Sequence, residues 1–251
     1  MKKTANPSSP RRLTITRIRQ QGRDTRSFDM RPAAADTAAK GDAATTRPRV
    51  TYLPGQVAVL RPGAQSLPSY FAFASAPDDP ELEFLIKRTD GKPGDEGPTL
   101  YQLKEGDEVE LVEVAGHGFP LGEHEGRDLV FVAMGTGVAP LRSALRHALG
   151  RPEDFGQIVV LYGARTPEDF CYQDEVEAWQ AAGVELRRVI SRPDGYEWAG
   201  SIGYVQSLLD NVLPGLSDPL ALVCGSPEMI AHTRDRLHEM GLAPENILTN
   251  Y

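Results

Sequence analysis

Two rhythms of apolar and polar residues divide the chain. Between Leu13 and Gly122 the apolar runs are short and alternate with polar residues, as in LTITRIRQQ, QVAVLRP, LEFLIKR and DEVELVEV. A period of two is the mark of a strand buried on one face, and several such strands separated by Pro and Gly predict an antiparallel barrel or sandwich. The stretch RPAAADTAAKGDAATTRPR, residues 31–49, has no large apolar side chain to bury and predicts a long mobile loop between two strands. After Arg127 the runs become continuous: DLVFVAM, QIVVLYG, VELRRVI and LALVCG. Parallel strands covered on both faces have this pattern. Helical spacing over 140–149, 168–182, 203–212 and 227–240 separates them, which predicts a doubly wound α/β domain. The expected organisation is a mobile tail over 1–10, an antiparallel β-barrel domain over 11–124 and an α/β doubly wound parallel sheet over 127–251.

Composition narrows the function. Of 251 residues, 40% are apolar and 25% charged, as in a globular protein, and no apolar run reaches the length of a membrane span. The net charge of −8, with basic residues massed only near the N-terminus, argues against a nucleic-acid partner and against broad attraction to a strongly acidic protein. MKKTANPSSPRR lacks the apolar core of a secretory signal. Cys171 and Cys224 stand far apart and match no metal-binding spacing, so no metal site is expected and a reducing cytoplasm is the simplest setting.

The candidate chemistry begins at VFVAMGTGVAPLRSAL, residues 131–146, where an apolar strand stops at Gly135-Thr136-Gly137 and Pro140 opens a helix. Strand, bare glycine turn and helix N-terminus in that order suit an anion, because glycine lets the backbone approach and free N–H groups favour negative charge. An ordinary tight turn reads the same way in isolation. Gly163-Ala164-Arg165, Ser191-Arg192 and Cys224-Gly225-Ser226 also fall at the carboxyl ends of predicted parallel strands, where ligands of such sheets sit.

In order and spacing these pieces resemble the ferredoxin–NADP reductase superfamily over roughly residues 11–251. SYFAFASAP resembles its flavin motif, GPTLYQLKEGDEVEL its glycine turn, MGTGVAP its pyridine-nucleotide loop and VCGSPEMI its segment near the nicotinamide. An aromatic residue near the end of the chain, here Tyr251, is a feature of the plant-type branch. The resemblance implies an FAD barrel followed by a nicotinamide-nucleotide domain, and hydride transfer from NAD(P)H to FAD with electrons passing to an acceptor: a redox protein, a quinone or free flavin. It implies flavin contacts at Phe71, Ala72, Phe73, Ala74, Ser75, Gly94, Gly97, Thr99 and Tyr251. It implies nucleotide contacts at Gly135, Thr136, Gly137, Pro140, Arg165, Ser191, Arg192, Tyr204, Cys224 and Gly225, with Cys224 and Tyr251 at the reacting rings. Ser191, Arg192 and Tyr204 match the stretch that holds the 2′-phosphate in NADPH-specific members, so NADPH is expected over NADH.

Departures from the family pattern matter as well. Ser69 stands where an arginine usually faces the flavin diphosphate, and Ala72 and Gly97 stand where hydroxyl residues are usual. Ile202 replaces an expected lysine and Thr249 a glutamate. Loss of one charge-assisted contact costs about 1.5–3 kcal/mol. An electron-transfer or regulatory subunit, its flavin site completed by a partner, is therefore a second reading. Plainer roles stand beside several of the implied ones. Phe71 also suits barrel core, Ser75 a turn, Cys224 a buried hydrophobe, Arg192 an exposed loop and Tyr251 a frayed terminus. His117 suits a solvated loop or a catalytic acid, and Asp169, Glu175 and Glu177 a solvated helix face.

Overall fold

A computed structural model describes residues 10–33, 49–88 and 99–250. The alternating runs become β1 (Arg11–Gly22), β2 (Thr25–Pro32), β3 (Val57–Arg61), β4 (Ser69–Ala72), β5 (Leu82–Lys87) and β6 (Glu108–Ala115). They form one antiparallel sheet in the order β4-β3-β6-β1-β2-β5. The sheet curls until its edges meet, where Phe73, just past β4, bridges Phe84 of β5. The apolar members of the alternation point inward. Leu13, Ile15, Phe28, Met30, Ala58, Leu60 and Val109 form the barrel core with Phe73, whose ring stacks on Tyr52 at 3.8 Å. β2 extends through Pro32, so the expected loop cannot begin at residue 31. Residues 34–48 of that segment, and residues 1–9 of the expected tail, lie outside the described residues.

The continuous runs become β7 (Asp128–Met134), β8 (Ile158–Ala164), β9 (Glu185–Ile190) and β11 (Pro219–Cys224), joined by two short strands, β10 (Ser201–Ile202) and β12 (Ile247–Thr249). All pair in parallel in the order β10-β9-β8-β7-β11-β12. Both faces are covered, which accounts for the absence of alternation. Phe131 and Ala133 pack with Leu141 and Leu145 of α1 (Val138–Leu149). Val130 and Val132 pack with Val205 and Leu209 and with Met229 and Ile230 of α3 (Pro227–Glu239). The chain enters at β7, builds outward to β10 and returns on the other side as β11, so the strand order switches between β7 and β11.

Two predicted helices are corrected. Residues 168–182 form two 3-10 turns followed by a short helix, α2 (Val176–Ala181). Tyr172 has a left-handed backbone, φ 58°, and an α-helix cannot continue through such a residue. Phe170 and Tyr172 are both buried there. Residues 203–212 contain instead a 3-10 segment, Val205–Asn211, which starts just beyond Gly203 at φ 134°.

Candidate nucleotide and flavin site

The switch between β7 and β11 is built by two glycine turns in backbone contact. A Cβ on Gly137 would lie 2.3 Å from the Cys224 carbonyl oxygen and 2.9 Å from the Gly225 nitrogen. Only glycine allows that approach. Gly135 takes φ +56° and its carbonyl accepts the Tyr162 hydroxyl at 3.1 Å, which fixes the turn from behind. Thr136 is exposed at its tip. Pro140 is buried in the first turn of α1, where no N–H is needed. The 3-10 turn Gly135–Gly137 leads directly into α1, so the positive end of the helix dipole lies at these glycines, an arrangement that suits a diphosphate. Gly225 borders the same crevice, with its own virtual Cβ 3.2 Å from Met134 Cβ.

Cys224 is a buried small hydrophobe at the end of β11, its backbone against Gly137. It is 7% exposed, and burial pushes its thiol up to about 12. At neutral pH it is a protonated, weakly polar surface and not a nucleophile.

At the other end of the crevice, pairing continues past the strands. Ser191 N–H donates to the Ala164 carbonyl at 3.1 Å and Arg192 N–H to the Arg165 carbonyl at 2.8 Å. Arg165 and Arg192 are thereby neighbours at the ends of β8 and β9, both exposed. Most other arginines are paired to carboxylates, yet among the described residues these two have no carboxylate within ion-pair distance. Tyr204 follows β10 and is 68% exposed, as is much of Ile202 at 62%. An open groove of about 640 Å³ runs from Ile202 and Tyr204 past Ser207 to His232 and Arg236 of α3. It touches none of the flavin-motif residues.

The flavin motif divides into two parts. Phe71 and Ala72 are half-buried, and Phe71 packs against the barrel core from its rim. Phe73, Ala74 and Ser75 are buried and committed elsewhere. Ser75 Oγ accepts the Glu83 N–H at 2.9 Å and lies 2.9 Å from the Tyr52 hydroxyl. Its carbonyl accepts the Ser143 hydroxyl at 2.6 Å. Ser75 is therefore tied through both its hydroxyl and its carbonyl to β5, Tyr52 and α1. Ser69 is exposed, and Tyr70 beside it is 70% exposed, an aromatic residue that the motif treats as variable. Thr99 is half-buried at the start of a 3-10 turn, with its N–H donating to Gln102. Gly94, Gly97 and Tyr251 lie outside the described residues. Asn250 is buried, and its side-chain N–H donates to the Gly55 carbonyl of the barrel at 3.1 Å. Its Oδ1 is buried without a partner among the described residues. His117 is exposed on the loop after β6.

Sequence reasoning overlooked Arg142. Its side chain is 4% exposed, donates to the Ala74 carbonyl at 2.7 Å and pairs with Glu83 at 3.0 Å. Its Nε lies 2.9 and 3.1 Å from the two Glu175 carboxylate oxygens, and its guanidinium sits 4.2 Å over the Tyr172 ring. Glu175 is thus a buried-pair partner and not part of a solvated face. Asp169 is also committed, accepting the Thr166 N–H and hydroxyl at 3.1 and 2.8 Å. The available signal was positional. Arg142 falls four residues after Val138 and three before Leu145, inside the apolar stripe of its helix.

The close backbone approach at Gly137 is of the kind a nicotinamide dinucleotide would require, and the half-buried Phe71–Ala72 edge offers the apolar surface a flavin ring would require. Among the described residues no group of three or more His, Cys, Asp or Glu could hold a metal ion, and no helix is long and apolar enough to cross a membrane. The family model described as oxidoreductase NAD-binding domain matches residues 131–235. Ferredoxin–NADP reductase B of Sorangium cellulosum is 34% identical over 74% of this chain and 78% of its own length. The fruit protein pKIWI502 of Actinidia deliciosa is also 34% identical, over 72% of this chain and only 59% of its own length. Sulfhydrogenase 1 subunit gamma of Pyrococcus furiosus is 31% identical over 78% of this chain and 67% of its length. A ferredoxin NADP+ reductase from Neisseria gonorrhoeae, solved with FAD and NADP, shares the fold at a TM-score of 0.76 and 20% identity, over 96% of this chain and 98% of that one. With its curled antiparallel barrel, its switched parallel sheet and these relatives, the chain belongs to the ferredoxin–NADP reductase superfamily of NAD(P)H-dependent, FAD-binding oxidoreductases.

Proposed function

We propose that this chain takes a hydride from NADPH in preference to NADH and delivers electrons through FAD to a redox protein, a quinone or free flavin. The preference rests on one observation: the backbone bond that sets the uncompensated Arg165 and Arg192 side by side, with Ser191 between the strand end and Arg192. Two guanidinium groups suit a phosphate dianion, and the Ser191 hydroxyl adds a neutral donor. Tyr204 offers an exposed ring for an adenine beside them. Gly135–Gly137 and the start of α1 would receive the diphosphate, leaving the nicotinamide against Cys224 and Gly225. On the barrel side, Phe71 and Ala72 would border the flavin ring, and Tyr251 would cover its other face, following the anchored Asn250. When bound, FAD supplies a two-electron acceptor that can release electrons one at a time. The protein's contribution is to hold two rings at contact distance.

The test is anaerobic reduction of the flavin-loaded chain, with acid release of the flavin to identify it. Bleaching by NADPH faster than by NADH, with FAD recovered, is the expected result. Recovery of FMN alone, or equal rates with both nucleotides, overturns the reading. The electron-transfer subunit remains the rival, favoured by the exposed Ser69 in place of a phosphate-facing arginine and by the likeness to a protein named as a gamma subunit. A chain that stays colourless after incubation with FAD supports that rival.

A further inference from the structure

We infer that Arg142 is a positioning residue for hydride transfer. It joins the helix that follows the proposed nucleotide loop to the backbone just past β4, within the segment that resembles the flavin motif. This inference rests on the hydride-transfer reading above.

Three residues on one side of α1 meet one short segment of the barrel domain. Arg142 donates to the Ala74 carbonyl at 2.7 Å, Ser143 to the Ser75 carbonyl at 2.6 Å, and Arg146 reaches Asp79 through two bonds of 2.9 Å. The contacted segment, 74–79, begins two residues after Ala72. The contacting residues begin five after Gly137. At a rise of about 1.5 Å per helical residue and about 3.3 Å per extended one, the anchor lies within roughly 10 Å of both ligand-bearing loops. Levers that short pass a displacement of the anchor almost undiminished to the spacing between the two sites.

Arg142 differs from Arg146 in burial, and from both Ser143 and Arg146 in the number of directions in which it is held. Its guanidinium is shared among Ala74 and Glu83 of the barrel domain and Glu175 of the nucleotide domain, and it lies over Tyr172. Tyr172 in turn donates its N–H to Gln21 of β1 at 2.8 Å. Around this fork one apolar cluster runs without a break across both domains, including Ala74, Leu85 and Phe119 with Leu141, Leu145 and Phe131. A planar fork with five N–H donors can satisfy a carbonyl and two carboxylates together. An ammonium on a flexible stem keeps the charge but not that geometry. Arginine at this place therefore fixes an angle as well as an attraction. A misplacement of about 1 Å at reacting groups is enough to cost a hundredfold in rate.

The decisive experiment compares wild type, Arg142→Lys and Ser143→Ala, each loaded with FAD and mixed with NADPH in a stopped-flow instrument. The expected result for Arg142→Lys is a limiting flavin-reduction rate at least tenfold lower, a nucleotide Kd within threefold of wild type, and unchanged oxidation of the dithionite-reduced protein by ferricyanide. Ser143→Ala, which removes a neutral bond and no charge, should fall between. Amide exchange of the flavin-free chains supplies a readout independent of turnover: protection should drop together in 71–79 and 138–146 for Arg142→Lys. A reduction rate within twofold of wild type in both variants overturns the inference. So does a rate loss matched by an equal fall in FAD retention, which would make Arg142 a fold-stabilising residue only. If wild type itself is not reduced by either nucleotide, the hydride-transfer reading fails instead.

Discussion

A single methyl group added at Gly137 tests the crevice most directly. In Gly137→Ala the new carbon would lie 2.3 Å from the Cys224 carbonyl oxygen and 2.7 Å from its carbonyl carbon, where ordinary contact begins near 3.4 Å. The turn or the end of β11 must therefore retreat by about an ångström. Both clashing atoms are backbone, held by the β7–β11 ladder that ends at Ala133 and Cys224, so no rotamer change relieves the contact. Gly137 itself sits at φ −60° and ψ −11°, which alanine tolerates, so the cost is steric and not conformational. Overpacking of this kind costs about 1–3 kcal/mol, a fall in Tm of roughly 2–10 °C for a chain of this size. Movement of the turn also withdraws amides from the diphosphate, and NADP+ should bind roughly tenfold more weakly, equivalent to about 1.4 kcal/mol. Thermal unfolding and NADP+ titration of the flavin-loaded chain measure the two effects separately. Gly135→Ala is the control: nothing lies within 4 Å of its virtual Cβ, but its φ of +56° strains alanine by about 1–2 kcal/mol. An unaltered Tm in Gly137→Ala would refute the backbone contact. A lowered Tm with unaltered NADP+ affinity would remove the turn from the nucleotide site.

Three further outcomes are expected. Arg192→Ala should raise the KM for NADPH roughly tenfold to a hundredfold, about 1.5–3 kcal/mol, and leave NADH nearly unaffected; equal losses would take Arg192 away from the 2′-phosphate. Burial pushes the Cys224 thiol up to about 12 and Cys171 up to about 11, so iodoacetamide at pH 8 should label both only after denaturation, and rapid labelling of the native chain at Cys224 would contradict its placement. Asp29 is raised from 3.8 to about 6 by burial first and by the Glu83 carboxylate second. Its proton is held more tightly in the folded chain, so the resulting stability is complete below about pH 4 and is lost as pH rises through about 6. Asp29→Asn should remove that decline from a plot of Tm against pH, and parallel curves for variant and wild type would refute the assignment.

The sheets were legible because burial writes itself into residue order. One covered face gives the alternation of LTITRIRQQ, and two covered faces give the unbroken DLVFVAM. The glycine turn was legible for a similar reason, since few residues but Gly tolerate the approach that Gly137 makes to Cys224. What escaped is what depends on a distant partner. Arg142 and Arg146 lie four apart in the same helix and look alike in sequence, yet one is 4% exposed and the other 38%. The difference comes from Glu83 and Glu175, which only the fold brings near. The bonds of Ser75 to Tyr52, Glu83 and Ser143 were equally hidden, since each partner is distant in sequence. The segment 168–182 has helical composition, but the left-handed backbone of buried Tyr172 interrupts it, and the helix α2 begins only at Val176.

The bond from Asn250 to the Gly55 carbonyl spans 195 residues of sequence. Gly55 lies just before β3 of the barrel, and Asn250 follows β12 of the parallel sheet. Closing so long a loop adds only roughly 2 kcal/mol over closing one of about 20 residues, because the entropy grows with the logarithm of length. The clasp is thus inexpensive but late. β11 likewise reaches β7 only after three other strands have been laid down, so the nucleotide crevice does not exist on a ribosome-bound chain that ends before residue 224. The proposed nucleotide half of the site is therefore completed only after β11 has been made, well after the barrel strands that would border the flavin.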